Sequence, residues 1–463
     1  MRQPLQWAIA SNSGRSVAAN GSRLINLYAE ALPPDSKTPV VLYGTPGLSV
    51  FATLPTGPVL GMHRMGGTLY AATPTALYSV SDVGDVANLG AVVLSGRASM
   101  AGNGRSLVVV DGNRGYAYDS QEEAITQLNG DGWYPANTVT YQDGYFIFNR
   151  AGTGQFFLSE LLATTFDALD FATAEGAPDD ALAVLSDHRE LWVFGERSIE
   201  VWYNSGDIDF PFERMQGAFI ERGIRAPQTA TKLDNSVFWL AEDGVVYRAA
   251  GYQPQRISTH AVEQAISKGR TDDAFGYAYT EEGHAFLVLT FPSLKQTWCF
   301  DVATGLWHER SHIDFGRHIG NCYARAYGEH LLGDFQSGAI YSLRMDARTD
   351  AGSAIRRVAI SPPLHNRRNE LTLHSLELDM ESGIGLTTGY GSDPQAMLDW
   401  SDDGGKTWSN EHWTTIGKKG EYLTRVVWRR LGRFRQRQFR VVITEPVPVV
   451  ILGAFMEIES EQN

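Results

Sequence analysis

The sequence predicts an all-β protein: a β-propeller of about seven blades, with six to eight possible, followed by a small antiparallel β-sandwich-like domain. Three observations lead to this fold class. Pairs of short apolar strands recur along the chain, turns containing glycine join the strands of each pair, and helical patterns are scarce. Glycine (47 residues) and aromatic residues (11%) are also abundant, as is typical of all-β proteins with many turns.

The spacing of the strand pairs is the strongest of these observations. The first strand of each pair begins near residue 69, 107, 145, 191, 237, 285 or 331, so the spacings are 38, 38, 46, 46, 48 and 46. Such a period is typical of propeller blades, because a single blade cannot bury both of its faces and must pack in a ring. We interpret each pair as the inner hairpin of a four-stranded blade. Sandwich hairpins, with a turn about every 8–12 residues, are the alternative.

Three segments follow from this pattern. Residues 1–60 are rich in proline and are predicted to be extended, wrapping along the outside or onto a neighbouring subunit. Residues 61–350 form the propeller, in which 260–268 is the best candidate for a helix. Residues 355–463 lack the long period and show sandwich-like strands, so they are predicted to form the C-terminal antiparallel β domain.

Charge and composition exclude several classes of protein. The net charge of −14 and the pI near 5.3 argue against a general nucleic-acid binder, although an acidic wall would let DNA slide past without sticking. The sequence contains no run of 18 apolar residues and no signal peptide. We therefore expect that the protein does not insert into a membrane and that it is synthesised in the cytoplasm. The two cysteines, Cys299 and Cys322, are too few for a disulfide framework and are predicted to be reduced and buried.

One short motif matches the Asp-box pattern S-x-D-x-G-x-T-W, through Ser401, Asp403, Gly405, Thr407 and Trp408. In such a turn the aspartate accepts backbone N–H groups, the glycine adopts a positive φ and the tryptophan packs beneath the loop. A sialidase-like glycosidase carries several such boxes. This chain has one, outside the main repeat, so a structural turn is predicted.

No catalytic residue, cofactor site or metal site is predicted. His308 and His312 have the spacing of two metal ligands on a helix, but they follow a predicted strand. The paired carboxylates lie in loops of an acidic chain, and glycosidase acids would have to converge in space. No nucleophile elbow is present.

A basic segment interrupts the acidic chain. Residues 411–445 contain nine Lys and Arg and three Asp and Glu, so their net charge is +6. The rest of the chain therefore carries a net charge of −20. Arg433, Arg435 and Arg437 alternate and are predicted to share one face of a strand, with Arg429 and Arg430 beside them. Three interpretations remain open: a solvated edge strand, a subunit interface that meets an acidic surface, and a DNA contact.

Several stretches resemble the tail-hub or tail-nozzle proteins of short-tailed bacteriophages, the packaged-DNA stabilisation protein family. Residues 26–30 and 43–47 resemble the family's N-terminal "N-x-Y-x-E … PG" opening. Residues 194–203 resemble its "F-G-x-x-S-I-E" strand pair, and residues 220–224 the segment that follows. Residues 427–433 and 439–444 resemble its C-terminal "W-x-R-x-G-R-x-R" stretch. The middle blades depart widely from the family, so contacts made by their loops cannot be transferred.

The resemblance implies a structural role in the virion tail. About six copies would form a homohexameric ring below the head-to-tail adaptor, extend the DNA channel and retain packaged DNA. The ring would hold tail fibres or tailspikes outside, a tail needle or plug would close it, and genomic DNA would pass through the lumen non-specifically. The resemblance brings no catalytic residues and implies that the chain is not an enzyme. Two alternatives remain: a carbohydrate- or protein-binding propeller, and a sialidase-like glycan hydrolase.

Overall fold

The computed structural model describes residues 2–367 and 369–460. Within these ranges the chain is all-β apart from one α-helix and one 3-10 turn. As predicted, it forms a β-propeller followed by a C-terminal β-sandwich. Among the described residues no helix has the length and apolar character needed to cross a membrane.

The N-terminal segment is extended and contributes strands to both domains. Its six strands are β1 (Arg2–Leu5), β2 (Asn12–Ser13), β3 (Gly21–Ile25), β4 (Leu27–Ala31), β5 (Val40–Gly44) and β6 (Gly47–Thr53). The first five join the sandwich or the outer edge of the propeller, and β6 joins the propeller itself. The segment therefore packs along its own chain.

Six blades of four consecutive antiparallel strands follow in the described part of the chain. Blade 1 contains β7 (Gly61–Met65), β8 (Thr68–Ala72), β9 (Ala76–Val80) and β10 (Val86–Ala91). Blade 2 contains β11 (Ser99–Gly102), β12 (Ser106–Val110), β13 (Gly115–Asp119) and β14 (Ala124–Gln127). Blade 3 contains β15 (Val139–Gln142), β16 (Tyr145–Asn149), β17 (Gln155–Leu158) and β18 (Phe171–Thr173). Blade 4 contains β19 (Ala181–Asp187), β20 (Glu190–Gly195), β21 (Ile199–Asn204) and β22 (Phe212–Ile220). Blade 5 contains β23 (Thr231–Leu233), β24 (Ser236–Leu240), β25 (Val246–Ala250) and β26 (Gln253–Arg256). Blade 6 contains β27 (Phe275–Glu281), β28 (His284–Phe291), β29 (Gln296–Asp301) and β30 (Leu306–Arg310).

A closing sheet completes the ring between blade 6 and blade 1. It contains β31 (Gly320–Ala326), β32 (Glu329–Asp334), β33 (Ala339–Arg344), β34 (Thr349–Asp350) and β35 (Ser353–Ala354). Its fourth main strand is β6, which pairs antiparallel with β33. The expected count of about seven blades is thus corrected to six blades of consecutive strands. The seventh repeat, near residue 331, lacks a fourth strand of its own because the two ends of the chain share this sheet.

The repeated strand pairs are the middle strands of the blades rather than inner hairpins. In blade 1 the pair is β8 and β9, whereas β7 precedes it and lies innermost, against β31 and β11 of its neighbours. The innermost strands are not part of the repeated apolar pattern, because the propeller axis accepts polar side chains on them, such as those of Ser99 and Thr140. The middle strands are buried on both faces, so their apolar runs dominate the sequence pattern.

The propeller core lies between successive blades. Between blades 2 and 3, for example, Phe148 and Phe157 stack with their ring centroids 5.0 Å apart, and Trp133 packs edge-on against both. The single helix, α1 (His260–Ile266), links blades 5 and 6 and buries Val262 and Ile266 in their shared core. Its N-cap is Thr259, whose side chain accepts the Val262 N–H.

The C-terminal sandwich packs two sheets face to face. Its strands are β36 (Arg357–Ile360), β37 (Leu364–His365), β38 (Leu371–Met380), β39 (Gln395–Ser401), β40 (His412–Thr415), β41 (Val426–Arg429), β42 (Arg433–Phe434), β43 (Gln436–Ile443) and β44 (Val450–Ser460). The first sheet has the order β4-β5-β44-β38-β41, with β1 on β44 and β42 on β38. The second has the order β3-β36-β43-β39-β40, and Leu373, Leu398 and Phe439 lie in the core between them.

Strand β3 joins the two domains. It pairs with β36 of the sandwich on one side, and Ile25 bridges to Glu309 at the outer edge of blade 6 on the other. Asn26, which follows β3, donates from Nδ2 to the carbonyls of Ser311 (2.8 Å) and Arg356 (2.9 Å), one in each domain. These buried contacts couple the sandwich to the propeller.

Candidate functional site

The Asp-box turn lies between β39 and β40 of the sandwich. Asp403 accepts the backbone N–H of Thr407 (2.9 Å) and its hydroxyl (2.7 Å), and it also accepts the hydroxyl of Ser401 (2.8 Å). Gly405 adopts a φ of 85° and donates its N–H to Ser401 Oγ. These hydrogen bonds, above all the one from the Thr407 N–H, hold the pKa of Asp403 well below its usual range. The carboxylate is therefore engaged by its own turn.

Trp408 of the same motif packs beneath the turn. Its ring lies against a small apolar cluster that includes Met397 and Val442, and the guanidinium of Arg440 lies 4.2 Å from the ring centroid. Arg440 in turn makes an ion pair with Asp399 of β39. All five residues of the motif thus belong to one local structural unit.

The basic segment divides into an exposed part and a buried residue. Arg429, Arg430, Arg433 and Arg435 are exposed, whereas the side chain of Arg437 is only 3% exposed. The prediction that Arg433, Arg435 and Arg437 share one face is therefore wrong, and Arg437 is removed from the candidate interface. The physical reason is that the chain changes sheets at Arg435: β42 pairs with the first sheet and β43 with the second.

A second group of arginines lies at one end of the propeller axis. Arg97, just before the innermost strand of blade 2, donates from Nη2 to Asn321 Oδ1 of the closing sheet (2.7 Å). Its guanidinium lies 3.4 Å from the ring centroid of Phe275 in blade 6, and Arg317 approaches the same ring. Burial lowers the pKa of Arg97 to about 9 and that of Arg317 to about 10.

Arg97 therefore crosses one end of the propeller axis, from blade 2 to the closing sheet and blade 6. A pocket of about 370 Å³ occupies the axis, and its lining includes His63, Thr140 and Lys232. Nothing in the sequence distinguished Arg97, because its role depends on blades that are more than 170 residues away along the chain (275 − 97 = 178).

His308 and His312, which are spaced like two metal ligands on a helix, have structural contacts instead. His308 is buried in β30, and burial lowers its pKa to about 3. Its ring packs against Tyr28 and Phe286. His312 stacks on Phe315 instead. Within residues 2–367 and 369–460, no group of three His, Cys, Asp or Glu side chains is arranged to hold a metal ion.

Two family models match consecutive parts of this chain. The model described as "Bacteriophage P22 Gp10, beta-propeller" matches residues 20–348. The model described as "Bacteriophage P22 Gp10, beta-sandwich" matches residues 356–459. The two matches cover both structural domains in their observed order. No curated protein sequence matches the chain.

Three solved structures have a low similarity to this chain. The computationally designed Ika8 protein is 15% identical with a TM-score of 0.40, over 73% of this chain and 99% of that one. The Cps50 (Swd1) β-propeller of Myceliophteria thermophila is 10% identical with a TM-score of 0.42, over 63% of this chain and 98% of that one. A chain of the mitotic checkpoint complex is 11% identical with a TM-score of 0.41, over 68% of this chain and 98% of that one. Likenesses this low say nothing about function.

Proposed function

The chain belongs to the bacteriophage P22 Gp10 family, and from this membership we propose that it forms the tail-hub or nozzle ring of a short-tailed phage. It is a structural tail protein that stabilises packaged DNA. The observation that carries the proposal is the pair of matches, which together span the propeller and the sandwich. A fold alone would not support it, because propellers serve many functions.

A non-enzymatic role agrees with the geometry of the motif that most resembles an enzyme. Both oxygens of Asp403 accept hydrogen bonds from its own turn, so this carboxylate is not available for acid–base work. Trp408 is likewise committed to the apolar cluster and to Arg440. These contacts give no support to a sialidase-like hydrolase.

The lumen for DNA would lie between copies of the chain. Arg97 and Phe275 meet across one end of the propeller axis, so the axis of a single subunit is not an open passage. A ring of subunits can enclose a wider channel, and an acidic wall would not retain phosphates as they pass. The charge of −20 outside residues 411–445 fits such a wall.

The ring would have several partners. We place a head-to-tail adaptor above it, tail fibres or tailspikes on its outside, and a tail needle or plug at its lower end. A homohexamer of about six copies would satisfy closed cyclic symmetry. The protein would be made in the host cytoplasm and incorporated in the virion tail.

Quantitative mass spectrometry of purified phage particles tests the proposal. The copies of this chain are counted against those of the portal protein in the same particles. About six copies for every twelve portal subunits are expected for a cyclic tail ring. Absence of the chain from purified particles would overturn the tail-hub proposal.

A further inference from the structure

Two arginines are fully buried where the propeller meets the sandwich. Arg310 ends β30 of blade 6, Arg357 begins β36 of the sandwich, and each is 1% exposed. Burying a guanidinium is costly unless its N–H groups find hydrogen-bond acceptors and its charge is balanced. The partners of these two side chains therefore decide whether the junction needs a bound ligand.

Four of the six guanidinium nitrogens have no hydrogen-bond partner among the described residues. Arg310 Nη2 donates to the carbonyl of Pro46 (2.7 Å), and Arg357 Nη1 donates to the carbonyl of Glu445 (3.4 Å). Nε and Nη1 of Arg310, and Nε and Nη2 of Arg357, are buried and unpaired. The hydroxyl of Tyr279 lies near Arg310 but is unpaired as well. Nε and Nη2 form the guanidinium edge that holds an anion with two parallel N–H groups.

One turn of the N-terminal segment lies against both arginines. Gly44 packs on Arg357, Pro46 accepts the N–H of Arg310, and Thr45 lies between them in the sequence. Thr45 is 2% exposed, and its hydroxyl is a further buried group without a hydrogen-bond partner among the described residues. Unpaired donors of both domains thus gather around this turn.

Gly44 leaves a space beside the guanidinium of Arg357. A Cβ added at Gly44 would lie 2.8 Å from Nε of Arg357 and 3.7 Å from Cζ, so a larger residue would press on the guanidinium. Gly44 ends strand β5 and lies outside the positive-φ region, so its backbone does not require glycine. A space that one carbon atom would fill suits a monatomic anion better than a tetrahedral oxyanion.

The charge of the junction favours an anion over water. Asp350 of the closing sheet is 3% exposed, and burial raises its pKa, although the charges of Arg310, His312 and Arg357 oppose this shift. Among the described residues it makes no ion pair with either buried arginine, and Arg348 adds a further positive charge near Arg357. The two buried guanidiniums therefore face at most one carboxylate, and a bound anion offsets the excess positive charge.

We propose that this junction binds a small monovalent anion, of which chloride is the simplest, between Arg310, Arg357 and the turn at Thr45. The anion accepts N–H groups from both domains and so holds the sandwich on the propeller, as the side chain of Asn26 does through its two carbonyl partners. The site lies within one chain and does not depend on ring assembly.

Thermal unfolding in chloride and in gluconate tests the site. Sodium gluconate is replaced stepwise by sodium chloride at constant ionic strength, up to about 100 mM chloride, with the full-length chain. Gluconate is too large for the space beside Gly44, so only chloride should occupy the site. The unfolding midpoint of the wild type should rise with the chloride concentration, because a ligand that binds only the folded state stabilises it.

Two variants should remove this response. Gly44→Ala places a methyl group in the space and keeps both guanidiniums, whereas Arg357→Met removes one of the charges. In each variant the rise of the midpoint with chloride should be at least about fivefold smaller than in the wild type. Two matched controls should respond like the wild type: Gly453→Ala, in β44 with no atom within 4 Å of the added Cβ, and Arg325→Met, which replaces an exposed arginine of β31.

Crystals of the wild type grown in sodium bromide identify the occupant directly. Anomalous scattering from a bromide ion within hydrogen-bond reach of Arg310 and Arg357 is the expected result. A water molecule in that position overturns the proposal. This measurement needs no variant, so the proposal stays testable if Arg357→Met or Gly44→Ala fails to fold.

The two measurements must agree. An equal chloride response in the wild type and in every variant marks a general salt effect and contradicts a specific site. Bromide in the crystal without any chloride response in solution means binding at crystal concentration only, which also contradicts it. A bromide ion at the turn together with a chloride response that only Gly44→Ala and Arg357→Met lose supports the site.

Discussion

The guanidinium of Arg437 makes a two-pronged ion pair with Asp402, with 2.6 Å from Nε to Oδ1 and 2.7 Å from Nη2 to Oδ2. The same group lies over the rings of Trp400 and Phe434, at 4.8 and 4.5 Å from their centroids. Trp400 belongs to the second sheet of the sandwich and Phe434 to the first. Arg437 therefore links the two sheets at the point where the chain passes from one to the other.

Replacing this arginine should destabilise the protein. Arg437→Ala removes the ion pair and the packing on two rings, and we expect the free energy of unfolding to fall by about 2–4 kcal/mol. The matched change Arg435→Ala affects an exposed side chain two residues away and should cost less than about 0.5 kcal/mol. Urea unfolding of both variants measures the difference. Equal midpoints for the two would contradict the structural role of Arg437.

Closure of the propeller by β6 gives a second prediction. Leu48 in β6 is 1% exposed and packs into the core shared by blade 6 and the closing sheet, whereas Val50 of the same strand is 60% exposed. Leu48→Ala should lower the free energy of unfolding by about 2–5 kcal/mol because it leaves a cavity. Val50→Ala should change it by less than about 0.5 kcal/mol. Thermal or urea unfolding tests both, and a small effect of Leu48→Ala would argue that β6 does not close the ring.

The Asp-box turn predicts a pH-dependent contribution to stability. The pKa of Asp403 is depressed in the folded chain, chiefly by the Thr407 N–H, so the folded state favours the ionised carboxylate. Its stabilising effect is fully present above the unfolded pKa of about 4 and is lost as the pH falls towards the folded value.

Asp403→Asn should therefore unfold more easily than the wild type at pH 7, and the gap should narrow as the pH falls below about 4. Denaturant midpoints measured at several pH values give this difference. A gap that stays constant across that range would show that ionisation of Asp403 does not contribute.

Buried His308 should make the protein sensitive to mild acid. Burial lowers its pKa to about 3 in the folded chain, whereas an unfolded histidine titrates near about 6.5. Below about pH 6.5 the unfolded chain takes up a proton that the folded chain excludes. The free energy of unfolding then falls by about 1.4 kcal/mol per pH unit for this group, down to about pH 3.

His308→Gln should reduce that slope by about one proton, as read from urea unfolding between pH 6.5 and 4. His188→Gln is a matched control that should leave the slope between pH 6.5 and 4 nearly unchanged, because the contribution of His188 changes only above about pH 6.5. The hydrogen bond to Asp187 raises the pKa of His188, so this histidine stabilises the folded chain below about pH 6.5 and loses that effect as the pH rises. An unchanged slope in His308→Gln would contradict the buried, neutral state of this histidine.

The sequence predicted the features that depend on neighbours in the chain. Apolar runs joined by glycine turns predicted the middle strands of the blades, such as β8 and β9. The pattern of residues 260–268 predicted the helix observed at His260–Ile266. The Asp-box pattern led to the turn between β39 and β40. These features could be predicted because turn geometry, capping and alternation are set by residues a few positions apart.

Tertiary structure alone decided which distant segments share a sheet and which side chains they cover. β6 completes a sheet with β33, almost 290 residues later (339 − 53 = 286), and no local pattern marks that pairing. Arg435 and Arg437 alternate in the sequence, yet one is exposed and the other buried, because the chain changes sheets between them. Arg97 reaches Phe275 only once the ring has closed. Local chemistry thus determined the strands and turns, whereas ring closure and burial depend on long-range packing, which the local pattern does not encode.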